Sequence, residues 1–265
     1  MLKDITLGQY FPGDTPVHRL DPRSKIIFVL LFIIGLFQAK GWISYGVVTA
    51  VTVFAMILSK ISPKIIFKGL KPMIIIIILT GILNLFYTDG TPVLPGWPIT
   101  FEGIARAVQM ILRIVLLITG TFLLTYTTSP ISLTDGLELL LNPLKKLKVP
   151  VHEMTLMMSL ALRFIPTLIE ETDKIMSAQK SRGADFENGS LVQRAKALLP
   201  VLVPLFVSAF RRADELAVAM ESRCYHGGEG RTRMKVLKFG AGDYAALVFG
   251  AAFLAGMIVL KRLGI

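Results

Sequence analysis

The sequence has few of the side chains that build disulfides and metal centres. It contains one cysteine, Cys224, so no disulfide can form within the chain. Its three histidines, His18, His152 and His226, are scattered without the spacing of metal ligands. We therefore expect neither a metal ion nor another cofactor bound to this chain.

Candidate catalytic groups are equally sparse. The glycine-rich stretch 226–231 lacks the Gly-Lys-Ser/Thr signature of a phosphate-binding loop, and it follows a predicted helix. Glu170 and Glu171 are neighbours, so they diverge by about 100° on a helix and do not form a carboxylate pair. The sequence thus predicts a chain that is not an enzyme.

Long apolar runs dominate the sequence instead. Hydrophobic residues make up 53% of the 265 residues and the mean hydropathy is +0.64, which is typical of an all-α, polytopic membrane protein. The first 25 residues are polar and lack the apolar core of a removable signal peptide, so none is expected. Because about 20 residues are needed to cross a bilayer, the predicted spans are 25–39, 41–58, 70–87, 103–127 and 240–261.

The net charge of +11 indicates topology here and not a nucleic-acid partner, because Lys and Arg mark the cytoplasmic side of so apolar a chain. Lys and Arg are concentrated in three segments, with four in 1–25, four in 59–71 and sixteen in 128–239. The segment 88–102 has none and is rich in proline, so it reads as an external loop. The N-terminus and the long region are therefore expected in the cytoplasm.

This topology predicts four parts of the chain: a cytoplasmic N-terminal segment 1–24, four transmembrane helices in 25–127, cytoplasmic helices in 128–239 and a last transmembrane helix in 240–265. Lys261 and Arg262 argue against the external C-terminus that it requires, so the orientation of the last span stays open.

Two arginines, Arg106 and Arg113, lie seven residues apart in the fourth span and hence on one face of its helix. An ionisable residue in a membrane helix suggests a functional site. The alternative is that Arg106 extends to the interface while Arg113 faces a neighbouring helix. The sequence does not decide between these roles.

The cytoplasmic region predicts three helices. A capping pattern of Ser132 with Asp135 opens the first, which runs to about Leu141 before Asn142-Pro143 interrupts it. The other two, about Val151–Ser181 and Ser190–Tyr225, are each apolar at the start and polar toward the end. Internal prolines predict kinks in these long helices, at Pro166, Pro200 and Pro204.

Both long helices close on the same short basic sequence. Ser181-Arg182-Gly183 ends one, Ser222-Arg223-Cys224 ends the other, and a shift of 41 positions also superimposes Asp173 on Asp214. Basic residues and glycine are favoured at helix C-termini, so ordinary capping explains one such ending. The repetition favours two similar partners, each receiving an arginine fork that suits carboxylates or carbonyls.

Small residues recur at four-residue spacing in two places. They form the sets Ala209, Ala213 and Ala217, and Gly242, Ala246 and Gly250. Each set would let another helix approach closely, either within the chain or from another subunit.

The segment His18–Lys25, which reads HRLDPRSK, and the two Ser-Arg endings resemble the transmembrane component of energy-coupling factor transporters, related to the CbiQ-type proteins of cobalt uptake. The layout agrees over the whole chain. The family's endings are usually Ala-Arg-Gly-like, whereas both begin with serine here and the second closes with Cys224, so the arginines are the surest correspondence.

The resemblance implies a subunit of an ATP-driven importer for a vitamin or metal ion in a prokaryotic cell membrane. It implies two cytoplasmic ATP-binding-cassette ATPases that bind the ATP and dock onto the two endings, through Ser181, Arg182 and Gly183 and through Ser222, Arg223 and Cys224. It also implies a separate small membrane subunit that binds the substrate. The segment 8–13, GQYFPG, is more similar to the branch that serves several vitamin-binding subunits than to a dedicated cobalt, nickel or biotin system.

Two other functions remain open at this point. One is a membrane scaffold that anchors a different cytoplasmic assembly. The other is an ordinary ATP-binding-cassette permease that binds substrate itself, although the spans contain few polar groups besides Arg106, Arg113 and Asn84.

Overall fold

The computed structural model describes residues 10–92, 99–186, 190–228 and 236–263. These residues form α-helices joined by short connections and contain no β-strand beyond an isolated bridge between Pro92 and Thr100. In chain order the helices are α1 (Pro16–Arg19), α2 (Pro22–Gln38), α3 (Trp42–Ser59), α4 (Pro63–Leu70), α5 (Ile74–Tyr87), α6 (Phe101–Thr127), α7 (Pro130–Leu141), α8 (Val151–Ser181), α9 (Leu191–Glu221) and α10 (Ala241–Arg262). Two 3₁₀ segments, Lys71–Met73 and Asn142–Leu147, follow α4 and α7.

Five of the described segments are long and apolar enough to cross a membrane. They are Trp42–Ser59, Pro63–Tyr87, Phe101–Thr127, Val192–Glu221 and Ala241–Arg262. The prediction of an all-α, multi-pass membrane protein is therefore confirmed.

Four of these five segments coincide with predicted spans. The remaining predicted span, 25–39, and the remaining segment, Val192–Glu221, do not correspond to each other. The predicted span 25–39 corresponds to α2, whose 17 residues give a length of about 25 Å, less than the roughly 30 Å of a bilayer core. Conversely α9, which was predicted to be cytoplasmic, has the length and composition of a span. The uncharged run 197–210 accounts for this, because no charged side chain lies between Lys196 and Arg211.

The described residues divide into two compact units, 10–92 with 99–139 and 237–263, and 140–186 with 190–228 and 236. In the first unit α2 packs against α6 and α10, and Phe32 on α2 stacks on Phe253 of α10. Two glycines make this packing possible, because a Cβ on Gly35 would lie 2.5 Å from Phe253 and one on Gly120 would lie 2.5 Å from Phe32. The short helix α2 thus packs against both α6 and α10, while α6 also contacts α3, α4 and α5.

The start of α7 differs from its prediction. Ser132 lies inside the helix and donates its backbone N–H to the Ser129 hydroxyl at 3.3 Å, so Ser129 provides the cap and the predicted capping by Ser132 is wrong. Proline at position 130 explains the earlier start, since its fixed φ suits the first turn of a helix. The helix ends at Leu141, as predicted from Asn142-Pro143.

The second unit contains α8 and α9, each of 31 residues and about 45 Å long. The bounds of α8 match the prediction. Ser190 caps α9 in a capping box with Gln193, and the helix ends at Glu221, four residues before the predicted Tyr225. The stretch 229–235 of the predicted connection to α10, like residues 93–98 of the predicted external loop and Gly8-Gln9, lies outside the described residues.

Candidate functional site

The two Ser-Arg endings fold into the same turn. Gly183 and Cys224 both adopt the left-handed conformation, with φ of +90° and +59°. A left-handed residue just after a helix is the usual C-terminal cap, and glycine adopts it without a Cβ penalty. The third positions, which differ in sequence, are therefore equivalent in structure.

Hydrogen bonds repeat this equivalence one for one. The Ala184 N–H donates to the Gln179 carbonyl and the Tyr225 N–H donates to the Met220 carbonyl, each at 3.0 Å. These bonds close a six-residue turn that satisfies carbonyls left free at a helix end. Donor and acceptor of one ending coincide with those of the other after the 41-position shift.

The serines of the two endings are also used alike. The Ser181 hydroxyl donates to the Ser177 carbonyl at 3.2 Å, and the Ser222 hydroxyl donates to the Val218 carbonyl at 2.7 Å. Serine at these positions thus bonds to its own helix and shapes the turn, which leaves the arginine as the exposed charged group of each ending.

Arg182 and Arg223 are both exposed, and neither guanidinium has an ion pair or hydrogen bond within the described part of the chain. Each therefore presents five donors toward solvent. Cys224 is an exposed free thiol. Within the described ranges no three His, Cys, Asp or Glu side chains are close enough together to hold a metal ion.

The two endings lie at opposite ends of one helix pair. Arg212 on α9 donates to the Glu171 carboxylate on α8 at 2.9 Å, and the Gln179 side chain donates to the Pro200 carbonyl at 3.3 Å. As residue numbers rise along α8 they fall along α9, so the helices are antiparallel. The stretch of α9 from Pro200, beside Gln179, to Arg223 is about 35 Å long, which sets the separation of the endings.

The internal prolines leave both helices continuous. α8 runs through Pro166, and α9 runs through Pro200 and Pro204. Because Pro204 has no N–H, it cannot bond to the carbonyl of residue 200, and the Gln179 side chain occupies that carbonyl instead. A proline on one helix thereby creates a contact point for the other.

The two sets of small residues have different surroundings. On α9, Ala213 and Ala217 are exposed and Ala209 is half-buried. On α10, a Cβ on Gly250 would lie 3.0 Å from Phe28 of α2, and Gly242 and Ala246 line an apolar cavity of about 380 Å³ within the bundle. The α10 set therefore packs within the chain, whereas two of the three α9 alanines face outward.

The segment His18–Lys25 forms a buried clamp with a residue that the sequence analysis did not single out, Asp243 at the start of α10. The Asp243 carboxylate accepts from the Asp21 backbone N–H at 2.7 Å and from the Ser24 hydroxyl at 2.6 Å. Its second oxygen accepts from the Gly240 N–H at 2.8 Å, which caps α10. The spacing of Gly240 and Asp243 indicates that cap, but nothing in the sequence indicates the bonds to residues more than 200 positions away.

The other members of the segment extend the clamp. Burial by itself would raise the pKa of the Asp21 carboxyl, but hydrogen bonds from the Arg23 side chain and backbone hold that pKa below its ordinary value. The Lys25 ammonium donates to the Thr127 carbonyl at 2.9 Å and the Thr128 hydroxyl at 3.0 Å. The HRLDPRSK segment thus joins the ends of α2, α6 and α10.

Together the helices and the exposed endings describe a multi-pass membrane protein that offers two matched arginine turns. The CbiQ family model, described as cobalt transport protein, matches residues 13–234. The chain belongs to this family of transport proteins.

Similar proteins with curated names indicate which members of this family the chain resembles. Proteins named "Energy-coupling factor transporter transmembrane protein EcfT" from Clostridium kluyveri and Thermosediminibacter oceani are each 52% identical, covering 99% and 98% of this chain and 98% and 99% of their own length. One of the same name from Bacillus subtilis is 49% identical over 94% of this chain and 95% of its own. The resemblance drawn from the sequence is confirmed.

Proposed function

We propose that this chain is the transmembrane coupling subunit of an energy-coupling factor importer, and that Arg182 and Arg223 each dock one of two cytoplasmic ATP-binding-cassette ATPases. The observation that carries the proposal is the structural identity of the two endings, each of which exposes an unpaired arginine on the same turn. Two equivalent arginine turns about 35 Å apart suit two equivalent binding sites on separate partners better than a single cleft.

In this mechanism the partner ATPases bind and hydrolyse ATP, and a small membrane subunit binds the vitamin or metal ion. Closure of the ATPase pair moves the two endings relative to each other, and the apolar parts of α8 and α9 transmit this motion to the substrate-binding subunit. The N-terminus and the coupling helices lie in the cytoplasm, in agreement with the distribution of Lys and Arg.

Docking is tested by pulling down the ATPase pair from detergent-solubilised membranes. We expect Arg182→Ala and Arg223→Ala each to weaken retention, since truncating one partner of a buried charged contact costs about 2–5 kcal/mol. Arg→Lys should only partly rescue, because lysine lacks the planar fork. Arg163→Ala on α8 and Arg211→Ala on α9 are matched controls, as both are exposed arginines on the shafts of the same helices.

Retention of both ATPases at wild-type levels by the Arg182→Ala/Arg223→Ala double variant would contradict the docking role. A second measurement separates this function from that of a permease. The purified chain alone should show no saturable binding of vitamins or metal ions, and tight binding would favour a permease that holds substrate itself.

A further inference from the structure

A recess of about 380 Å³ opens in the bundle where α2 ends and α6 begins. It lies in the same half of α6 that carries the two arginines whose roles the sequence left open. Its walls include Ala39, Lys40, Tyr45, Arg106, Gln109 and Arg113.

Arg113 is fixed in this recess but incompletely bonded. One terminal nitrogen donates to the Ala39 carbonyl at 3.0 Å, and the guanidinium carbon lies 5.9 Å from the ring centroids of Phe37 and Tyr45. Its Nε is buried and has no hydrogen-bond partner among the described residues. Because a buried donor is costly to leave unpaired, the site calls for a further acceptor.

The other two cations of the recess are not neutralised by the described part of the chain. Neither Lys40 nor Arg106 forms an ion pair there. Glu102, one turn before Arg106, is engaged elsewhere, since its carboxylate accepts from the Thr91 N–H at 2.8 Å. Three positive side chains therefore converge on one recess without a negative partner.

The surface around the recess is that of a membrane interface. Phe37, Trp42 and Ile43 are each more than half exposed beside it. Tryptophan is enriched where lipid headgroups meet the acyl chains, and α3 and α6 are both long enough to cross the bilayer. A phosphate group is the anion found at this level, and arginine binds it through paired hydrogen bonds.

We propose that this recess binds the phosphodiester group of an anionic membrane lipid. Lys40 and Arg106 supply the outer contacts, the Nε of Arg113 donates from within, and the lipid tails lie against the exposed apolar residues. A free phosphate ion has the same chemistry as the headgroup, so the experiment distinguishes the two sources.

The test uses the full chain in nanodiscs of equal parts phosphatidylglycerol and phosphatidylcholine, followed by native mass spectrometry of the released protein. We expect the wild-type chain to retain phosphatidylglycerol in preference to phosphatidylcholine, and Lys40→Gln/Arg106→Gln to retain it several-fold less. Lys64→Gln/Lys68→Gln is the matched control, because it removes two exposed cations from α4 and should leave retention unchanged. All four side chains are exposed, so both variants should fold, which gel filtration checks.

Equal losses in the two double variants, or equal retention of both lipids by the wild-type chain, would overturn the proposal. Excess inorganic phosphate added to the detergent-solubilised chain tests the source of the anion. We expect phosphatidylglycerol to stay bound. Its displacement, with inorganic phosphate retained in its place, would overturn the assignment to a lipid.

Discussion

Asp243 offers the sharpest test of the clamp that holds the ends of α2 and α10 together. The carboxylate is 5% exposed and accepts three hydrogen bonds, from Asp21, Ser24 and Gly240. Asp243→Ala removes the acceptor of all three bonds, but the consequences differ among the donors. The change in the free energy of unfolding therefore depends on whether each donor can bond to another acceptor or to water.

The loss of stability is largest at the Asp21 N–H, because this N–H is buried and loses a hydrogen bond to a charged acceptor, which contributes about 1.5–3 kcal/mol. The Ser24 hydroxyl has a single proton and keeps the Asp21 carbonyl at 2.7 Å as its acceptor. The Gly240 N–H is partly exposed and can turn to water, at a cost of about 0.5–1.5 kcal/mol. Together these terms predict a loss of about 2–4.5 kcal/mol in the free energy of unfolding.

Asp243→Asn should cost less, about 1 kcal/mol, because the amide keeps one acceptor oxygen for Asp21 while its NH₂ group faces the Gly240 N–H. Loss of helical circular dichroism on heating in detergent measures all variants under one condition. Asp14→Ala is the matched control, since the Asp14 side chain is 75% exposed in its ion pair with Arg19 and should contribute little. If Asp243→Ala unfolds at the same temperature as Asp14→Ala, the clamp does not stabilise the bundle and the reasoning is refuted.

Two further predictions concern the coupling helices. Cys224→Gly should stabilise the end of α9 by up to about 1 kcal/mol, because glycine adopts the left-handed conformation of this residue without strain. It should slow hydrogen exchange in the last turn of α9 without weakening ATPase docking, and Gly183→Ala should speed exchange in the last turn of α8. Unchanged exchange in both variants would count against the left-handed turns. A hydrogen bond from Ser208 lowers the pKa of Glu171 below its ordinary value of 4.5; burial acts to raise this pKa, and Arg212 lowers it further. The contribution of Glu171 to the α8–α9 contact is therefore present at neutral pH and is lost as the pH falls through the lowered pKa. Spin-label distances across the pair should therefore increase below pH 4.5, and a pH dependence that persists in Glu171→Gln would assign it to another group.

Local and periodic features could be read from the sequence. The bounds of α8 followed from its apolar start and the break at Ser181-Arg182-Gly183, and Asn142-Pro143 marked the end of α7. The repeated ending was visible as a 41-position shift. These signals act over a few residues, where backbone propensity and capping chemistry decide the outcome.

Contacts between residues far apart in the sequence could not be predicted from such local signals. Asp243 pairs with Asp21 and Ser24 over more than 200 positions, and no periodicity relates them. The left-handed conformation of Cys224 was hidden because the residue type argues against it. The assignment of α2 to the membrane and of α9 to the cytoplasm stays a prediction, because length and hydropathy do not show where a helix lies relative to a bilayer.

The antiparallel pairing of α8 and α9 constrains how the proposed coupling works. Glu171 and Arg212, which bond to each other, are themselves equivalent under the 41-position shift. Their distances along the helices to Arg182 and Arg223 are consequently equal, at about 17 Å each. If this contact is the pivot, a rotation of one helix against the other moves both endings by the same amount. The second contact, from Gln179 to the Pro200 carbonyl, lies beside one ending only and is a single exposed hydrogen bond, so it is the weaker restraint on that rotation. In the proposed coupling, the ion pair between Glu171 and Arg212 is therefore the pivot, and the contact at the Pro200 carbonyl that Pro204 leaves free is the weaker restraint.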